Sequence, residues 1–479
     1  MQDVVLKTMW YFWLISQNNV WKIEEIYYNE IYINFGDMKQ KKGDHLMKKI
    51  KIALLGLGNV GRGVYKILHQ NKEEIIKRSG YEIEISKILV RDLKKGRGVD
   101  VSEDILTTDF EEILNDDSIK IVVEVMGGIE PAREYMLKAM EAKKHIVTAN
   151  KMLLATEGNE VFEKAEEMGV MFQYEASVAG GIPIINGINE NLTANKINEL
   201  YGIVNGTTNY ILSKMELEQL EFDSVLQEAK EKGYAEADPT SDIEGYDAQY
   251  KLAILASLAF GTKVDIKDVY REGITKIKPI DMKYASDFGM SIKLLAIAKD
   301  KDGKIELRVH PTMIPETHPL ANVYDSFNAI FINGNAVGDL MFYGRGAGDM
   351  PTGSAVVSDI IAILRRNIDI KNENPIIRNN LWEKEVKDIN DVESRYYIRV
   401  TVEDKPGVLG QITTIFGSNR VSLKSLIQKG RKHDENLEVT LVLITHRTKE
   451  ALINDSIEKL YDLRTVKEVE NIIRIEEFN

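Results

Sequence analysis

Short apolar runs that end at glycine or polar turns alternate along the chain with segments of helical spacing. This alternation predicts parallel strands joined by crossover helices. Ile50 to Leu55 reads as a buried strand feeding a glycine turn, and Arg62 to His69 as the helix after it. Ile83 to Val90, Ile121 to Met126, His145 to Ala149 and Val170 to Tyr174 read as further strands. Ala132 to Lys143, with Pro131 at the first helical position, and Glu160 to Met168 read as helices. Leu252 to Phe260 is apolar nearly all round, which predicts a buried helix. Lys371 to Glu393 is charged and weakly patterned, as a linker would be. Beyond it come a strand (Tyr396 to Val402), a turn at Asp404 to Gly407, a helix (Val408 to Asn419), strands Val421 to Gln428 and Glu438 to Thr445, a helix (Lys449 to Leu460) and a strand (Val466 to Ile473). That βαββαβ order is ferredoxin-like.

Composition narrows the class. A chain of 479 residues is too long for one core, so two or three domains are expected. A net charge of −13 argues against nucleic acid or an anionic membrane as the main partner. With no cysteine, disulfides, thiolate zinc sites and cysteine nucleophiles are excluded. The seven histidines show no HxxxH or HxH spacing, which disfavours catalytic zinc. No apolar run is long enough to cross a bilayer, and the cytoplasm is the expected compartment. Residues 1–46 differ from the rest: they hold three of the four tryptophans, Trp10, Trp13 and Trp21, and the strand pattern begins only at Met47. Lys41-Lys42-Gly43-Asp44 can be encoded by a run containing AAGGAGAT, similar to a ribosome-binding site. Residues 1–46 are therefore expected to be translated leader, with Met47 as the working start; a genuine N-terminal arm is the alternative.

The first glycine turn carries chemistry. Gly56-Leu57-Gly58-Asn59-Val60-Gly61 is GxGxxG between a strand and a helix, the context of a Rossmann-type dinucleotide site. There Gly56 makes the turn, Gly58 admits the pyrophosphate, Gly61 packs helix on strand, and the helix N-terminus faces the phosphates. After the second strand Arg91 favours the 2′-phosphate of NADP, whereas Asp92 fits NAD. Lys151 follows a strand end, where open parallel sheets bind their ligands.

The loop Glu175-Ala176-Ser177-Val178-Ala179-Gly180-Gly181-Ile182-Pro183 has little side-chain bulk. It offers backbone carbonyls to a hard cation, or it is simply a tight connection against the cofactor. Asn205-Gly206-Thr207-Thr208-Asn209 supplies amides and hydroxyls before a helix. The densest polar constellation is Gly233 to Asp247, leading to Lys251; Asp247 and Lys251, four apart, share a helix face. A lysine at the mouth of a buried helix can polarise a carbonyl and give its alkoxide a proton. Nearby carboxylates suit a substrate ammonium. Tyr210 and Lys214 form the YxxxK pair of short-chain dehydrogenases, but that class spaces its glycine turn differently. A non-catalytic dinucleotide sensor would not need Glu236, Asp247 and Lys251 together.

These motifs (GLGNVGRGV, TANK, YEASVAGGIPII, NGTTNY, GYAEADPTSDIEGYDAQYK and GRGAGDMPTGSAVVSD) resemble the homoserine dehydrogenase family from Met47 to about Arg366. The resemblance implies NAD(P)-dependent interconversion of L-homoserine and L-aspartate 4-semialdehyde, on the route to threonine, methionine and isoleucine. It implies Lys251 as the acid–base group, Lys151 as the lysine on the cofactor and substrate side, and Gly233, Glu236, Asp242 and Asp247 around the substrate. It further implies a sodium ion on the carbonyls of Glu175, Val178, Gly180 and Ile182, and a cofactor contact at Gly348. DKPGVLGQI with the βαββαβ order is similar to ACT domains, which implies amino-acid binding, with threonine the expected effector and a homodimer or homotetramer the expected assembly. A module that only pairs subunits is the alternative. The expected α/β architecture is thus a Rossmann-type nucleotide domain (residues 47–178, completed by about 340–370), an α+β catalytic and dimerisation domain (179–339), a linker (371–394) and a ferredoxin-like ACT domain (395–479).

Overall fold

The structure, a computed structural model, describes residues 48–301, 303–366, 383–428 and 438–478. The expected N-terminal leader and residues 371–382 of the expected linker lie outside the described residues.

Six strands, β1 (Lys48–Leu55), β2 (Tyr81–Leu89), β3 (Leu106–Thr107), β4 (Ile119–Glu124), β5 (His145–Thr148) and β6 (Phe172–Gln173), form a parallel sheet in the order β3-β2-β1-β4-β5-β6. Alternation along a strand sends successive side chains to opposite faces. Ile52 and Leu54 accordingly pack on one side with Val64 and Ile360, while Ala53 and Leu55 join Met136 and Ala139 on the other. Both faces are covered, so β1 reads as a continuous apolar run. The Asp349–Arg365 helix packs on the Asn59–Gln70 helix, so a late segment completes this layer.

The first helix begins at Asn59 rather than Arg62, and two more depart from their predicted starts. Pro131 is the N-cap residue of the Ala132–Glu141 helix rather than its first helical residue. The third helix begins at Lys151 instead of Glu160, because the Asn150 side chain caps it by accepting from the Leu153 amide at 3.2 Å. Gly158 inside that helix had obscured the pattern.

The second sheet has 12 strands. Its path β12-β11-β7-β9-β10 is built from β7 (Ile197–Ile203), β9 (Met290–Lys301), β10 (Lys304–Pro315), β11 (Phe327–Gly334) and β12 (Gly338–Arg345). It continues as β18-β14-β16-β15, formed by β14 (Glu393–Glu403), β15 (Leu423–Gln428), β16 (Glu438–Thr445) and β18 (Val466–Ile475). The short strands β8 (Tyr270–Arg271) and β13 (Glu385–Val386) pair with β10, and β17 (Thr448–Lys449) pairs with β14. The last four strands of the path, with helices Val408–Ser418 and Glu450–Tyr461 on one face, are the ferredoxin-like module.

This module is not held by a tether alone. Thr312 and Met313 of β10 pair in parallel with Arg474 and Ile475 of β18, and Glu385 and Val386, at the end of the expected linker, pair with Lys304 and Ile305. Buried charges fasten the joint: Arg308 to Glu476 at 2.9 Å, and Asp281 to Arg399 at 2.7 Å with Asn471 at 2.8 Å. No helix among the described residues is long and apolar enough to cross a membrane.

Candidate active site

The glycine turn opens a cavity of about 700 Å³ at the carboxyl ends of β1, β2 and β4. Gly56 sits at φ +108°, a conformation natural to glycine. A Cβ at Gly61 would stand 2.4 Å from the Gly56 carbonyl oxygen, whereas one at Gly58 would meet nothing within 4 Å. The turn therefore needs Gly61 for packing and leaves Gly58 open to a ligand. Leu57 and Asn59 also line the cavity, while Val60 is on the first helical turn outside the lining. Beyond β2 the wall is cationic, with Arg62, Arg91, Lys95 and Arg97 against a single acid, Asp92. Shape, exposed helix amides and positive charge fit a phosphate-bearing dinucleotide.

The opposite wall is fixed by Glu124, which no motif in the sequence singles out. Glu124 ends β4 fully buried and accepts from the amides of Met126 at 2.8 Å and Gly127 at 3.1 Å and from the Thr148 hydroxyl at 2.6 Å. Asn150 donates to the Gly128 carbonyl at 2.6 Å. Burial pushes the Glu124 carboxyl up, against these donors. A lone acid inside the apolar run Ile121 to Met126 is the signal in the sequence.

From the mouth of the nucleotide layer Lys151 reaches the second domain. Its ammonium lies 2.8 Å from Asp247 Oδ1, and Lys251 lies 2.7 Å from Asp247 Oδ2. The Tyr246–Phe260 helix places Asp247 and Lys251 one turn apart, both buried. Lys251 also donates to the Val204 carbonyl at 2.7 Å, at the end of β7. Burial pushes the Asp247 carboxyl up, but the charges of Lys251 and Lys151 more than reverse this and hold it well below the usual carboxylate range. The two lysines move apart. Burial, helped by the charge of Lys151, lowers Lys251 against the pull of Asp247. Lys151, half exposed, is raised chiefly by Asp247. Opposed environments of this kind mark acid–base assignments.

Asp242 joins the group through Asn205, whose side-chain nitrogen donates to Asp242 at 2.7 Å and to Asp247 at 2.8 Å. Burial and then the charge of Asp247 raise the Asp242 carboxyl. Gly233 and Glu236 stand at the exposed rim, with the Glu236 charge acting on Lys151. The Thr207 hydroxyl donates to the Tyr234 carbonyl at 2.7 Å and so ties the rim to the floor.

Glu175, Val178, Gly180 and Ile182 lie together in a buried loop with positive φ at Ala179 (53°) and Gly180 (47°). Ile182 accepts from the Ile184 amide at 2.9 Å and Glu175 from the Val178 amide at 3.5 Å; among the described residues the Val178 and Gly180 carbonyls take no backbone donor. The Glu175 carboxylate accepts from the amides of Ile185 and Asn186, each at 2.8 Å, and the Glu175 amide donates to buried Asp359 at 2.8 Å. Gly348 does not line the dinucleotide cavity; it stands at φ +122° before the Asp349–Arg365 helix, and Asp349 pairs with Lys66 at 2.8 Å. Tyr210 and Lys214 both turn to Glu228, at 2.8 and 3.3 Å, away from the lysine pair.

Comparison with known proteins places this arrangement. The homoserine dehydrogenase family model matches residues 183–361, the homoserine dehydrogenase NAD-binding domain model residues 56–175, and the ACT domain model residues 396–464. The homoserine dehydrogenase of Bacillus subtilis is 42% identical over 431 residues, covering 90% of this chain and 99% of that protein. That of Pseudomonas aeruginosa is 44% identical over 437 residues, covering 90% and 100%. A crystal structure of a homoserine dehydrogenase from Thiobacillus denitrificans superposes with a TM-score of 0.85 at 43% identity, covering 90% of this chain and 99% of that one.

Proposed function

The chain belongs to the homoserine dehydrogenase family, oxidoreductases that interconvert L-homoserine and L-aspartate 4-semialdehyde with a nicotinamide cofactor, and from this premise we propose how its residues divide the chemistry. The observation that carries the reading is one buried carboxylate, Asp247, held at 2.7 and 2.8 Å between Lys251 and Lys151. The bound nicotinamide supplies or accepts the hydride. Lys251, the lysine whose ammonium burial destabilises, gives its proton to the oxygen that becomes the homoserine hydroxyl, and takes it back in oxidation. Lys151, kept charged by Asp247, polarises the same oxygen from the cofactor side. Glu236, Asp242 and Asp247 hold the substrate ammonium, with Gly233 on the substrate backbone.

The finer assignments follow the same chemistry. The cationic wall of Arg62, Arg91, Lys95 and Arg97 supports NADP over NAD, with pyrophosphate on the turn from Gly56 to Gly61. Carbonyls of Glu175, Val178, Gly180 and Ile182 are assigned a sodium ion, supported by the two without backbone donors and the second lone pair of the others. The proposal extends to a cytoplasmic location and to a homodimer or homotetramer. Edge strands β12 and β15 support self-association, each leaving one row of backbone groups without a strand partner among the described residues.

Threonine is the proposed effector of the ACT domain. A chain of contacts supports feedback. Arg474 of β18 reaches Glu272 at 2.9 Å and Tyr270 at 3.0 Å; neighbouring Arg271 stacks on Tyr246 at 3.6 Å and donates to the Glu244 carbonyl, and the Ile274 amide donates to Ile243 at 2.8 Å. This joins the module to the two consecutive helices, Thr240–Ile243 and Tyr246–Phe260, that bear Asp242 and Asp247. The test is L-homoserine-dependent reduction of NADP and of NAD, with and without threonine. Turnover favouring NADP and falling with threonine is expected. Folded protein without homoserine turnover would overturn the assignment, and turnover indifferent to threonine would leave the ACT domain with assembly or another ligand.

A further inference from the structure

The two carboxylates on the substrate side, Asp242 and Asp247, are joined by one neutral side chain. Asn205 follows β7 and caps the Gly206–Glu218 helix. Its oxygen accepts from the Thr208 amide at 2.8 Å and the Thr208 hydroxyl at 2.9 Å. An amide N–H can only donate, so the carboxamide cannot flip: the oxygen must face the helix and the nitrogen must face away. Both hydrogens of that nitrogen are then spent on carboxylates, one on Asp242 Oδ1 at 2.7 Å and one on Asp247 Oδ2 at 2.8 Å. Asn205 is buried, and its bond to Asp247 is buried at both ends while Asp242 is partly so.

Capping alone does not demand this residue. Serine, aspartate and asparagine cap a helix about equally well. Serine has a single O–H on a shorter arm and cannot serve two carboxylates; aspartate would bring a third negative charge with no donor. Among the good caps only asparagine also supplies two aimed donors. We propose that Asn205 is a positioning residue for the reaction, bridging Asp242 and Asp247 so that one stays directed at the two lysines while the other stays anionic for the substrate ammonium. The inference rests on the catalytic reading given above and assigns to that site a residue outside the lysine–acid set.

The charged groups facing the bridge are Asp242 and Asp247 themselves, Lys251 on the same helix as Asp247, Lys151 from the nucleotide domain and Glu236 from the rim. Asp242 is already raised by burial and by Asp247, and Asn205 is the first of the groups opposing that rise. Without the bridge Asp242 takes up a proton at higher pH and releases its hold on the substrate cation.

The experiment compares wild type with Asn205→Ser and Asn205→Asp in the intact enzyme, both caps retained. It reads thermal midpoint, KM for NADP, KM for L-homoserine, and kcat/KM against pH. Expected are an NADP KM close to wild type, a thermal midpoint lowered in both variants and furthest in Asn205→Asp, and an L-homoserine KM raised about tenfold or more, the loss of one charge-assisted hydrogen bond. The acidic limb of kcat/KM should move to higher pH, furthest in Asn205→Asp. A folded Asn205→Ser enzyme with unchanged L-homoserine KM and unchanged acidic limb overturns the proposal. Should either variant be unstable, Asn205→Ser is placed in an Asp242→Asn background: a bridging residue adds little further to KM there, and a full additional loss would refute bridging. Lys251→Ala separates the two levels. If it leaves turnover intact the catalytic reading fails, whereas lost turnover with a neutral Asn205→Ser sinks only the bridge.

Discussion

Replacing Asp247 by asparagine keeps the shape of the site and removes the charge between the lysines. The two arms do not contribute equally. The Lys251 arm is buried on both sides, at 9% and 5% side-chain exposure, and a charge-assisted hydrogen bond there is worth about 1.5–3 kcal/mol. The Lys151 side chain is 41% exposed, so solvent screening reduces that arm to about 1 kcal/mol or less. Asparagine must also turn an N–H₂ toward either an ammonium or the donating Asn205 nitrogen, which leaves a buried donor unsatisfied. The sum is a destabilisation of about 3 kcal/mol, at the lower end of what breaking a buried pair costs. Its pH dependence has a definite sign: a carboxyl depressed in the fold stabilises above its unfolded pKa and loses that contribution as pH falls through the folded value. The deficit of the variant should therefore be constant near neutrality and shrink only on acidification below about pH 4. Catalysis should suffer with stability. Without Asp247, burial lowers Lys251 further and its ammonium loses the carboxylate that holds it, so semialdehyde reduction falls by about 10²–10⁴. Urea unfolding at several pH values and steady-state reduction of L-aspartate 4-semialdehyde read both effects. A variant within 1 kcal/mol of wild type that turns over within about threefold of it would refute the reasoning.

Further outcomes follow from other contacts. Gly58→Ala, whose Cβ meets nothing within 4 Å, should keep the urea midpoint of wild type while raising the cofactor KM about tenfold or more; Gly61→Ala, forced to 2.4 Å from a carbonyl oxygen, should lose about 1–3 kcal/mol of stability. Equal effects of the two on unfolding would contradict the cradle. Burial raises both Glu175 and Asp359, and the charge of Glu175 raises Asp359 further, so their stabilising form is the protonated one, present below about pH 4 and lost as pH rises through the folded values. Asp359→Asn should thus gain stability relative to wild type as pH is raised, measured by thermal midpoints across pH; a gain confined to acid would be the wrong sign. Glu272→Gln, which weakens the Arg474 contact without touching the lysine pair, should leave uninhibited turnover near wild type and raise the threonine concentration for half-inhibition about fivefold or more. Unchanged inhibition would remove Glu272 from the coupling.

Much of this was legible in the sequence. The strand-turn-helix around Gly56 to Gly61 announced itself because each glycine answers a separate steric demand. The i, i+4 relation of Asp247 and Lys251 needed only helical geometry. The βαββαβ order of the last module was written in its periodicity. What stayed hidden depends on distant segments meeting. Nothing near Asn205 in sequence announces Asp242 and Asp247 as its partners. Lys151 meets its acid, Asp247, only because a distant segment of the chain brings it there. The joint between β10 and β18 is a two-residue pairing that no local pattern could reveal, and Gly158 masked the first half of a capped helix. Periodicity reports which face of an element is covered, not which element covers it.

The measurement closest to the central claim is the behaviour of Lys251→Ala in L-homoserine oxidation, read by the absorbance of the reduced nicotinamide, beside NADP binding by the same protein. The account predicts that kcat falls by about 10²–10⁴ while NADP binds as it does to wild type, since Lys251 touches Asp247 and Val204 and lies outside the dinucleotide cavity. Turnover within a few-fold of wild type, from folded and NADP-competent protein, would contradict it.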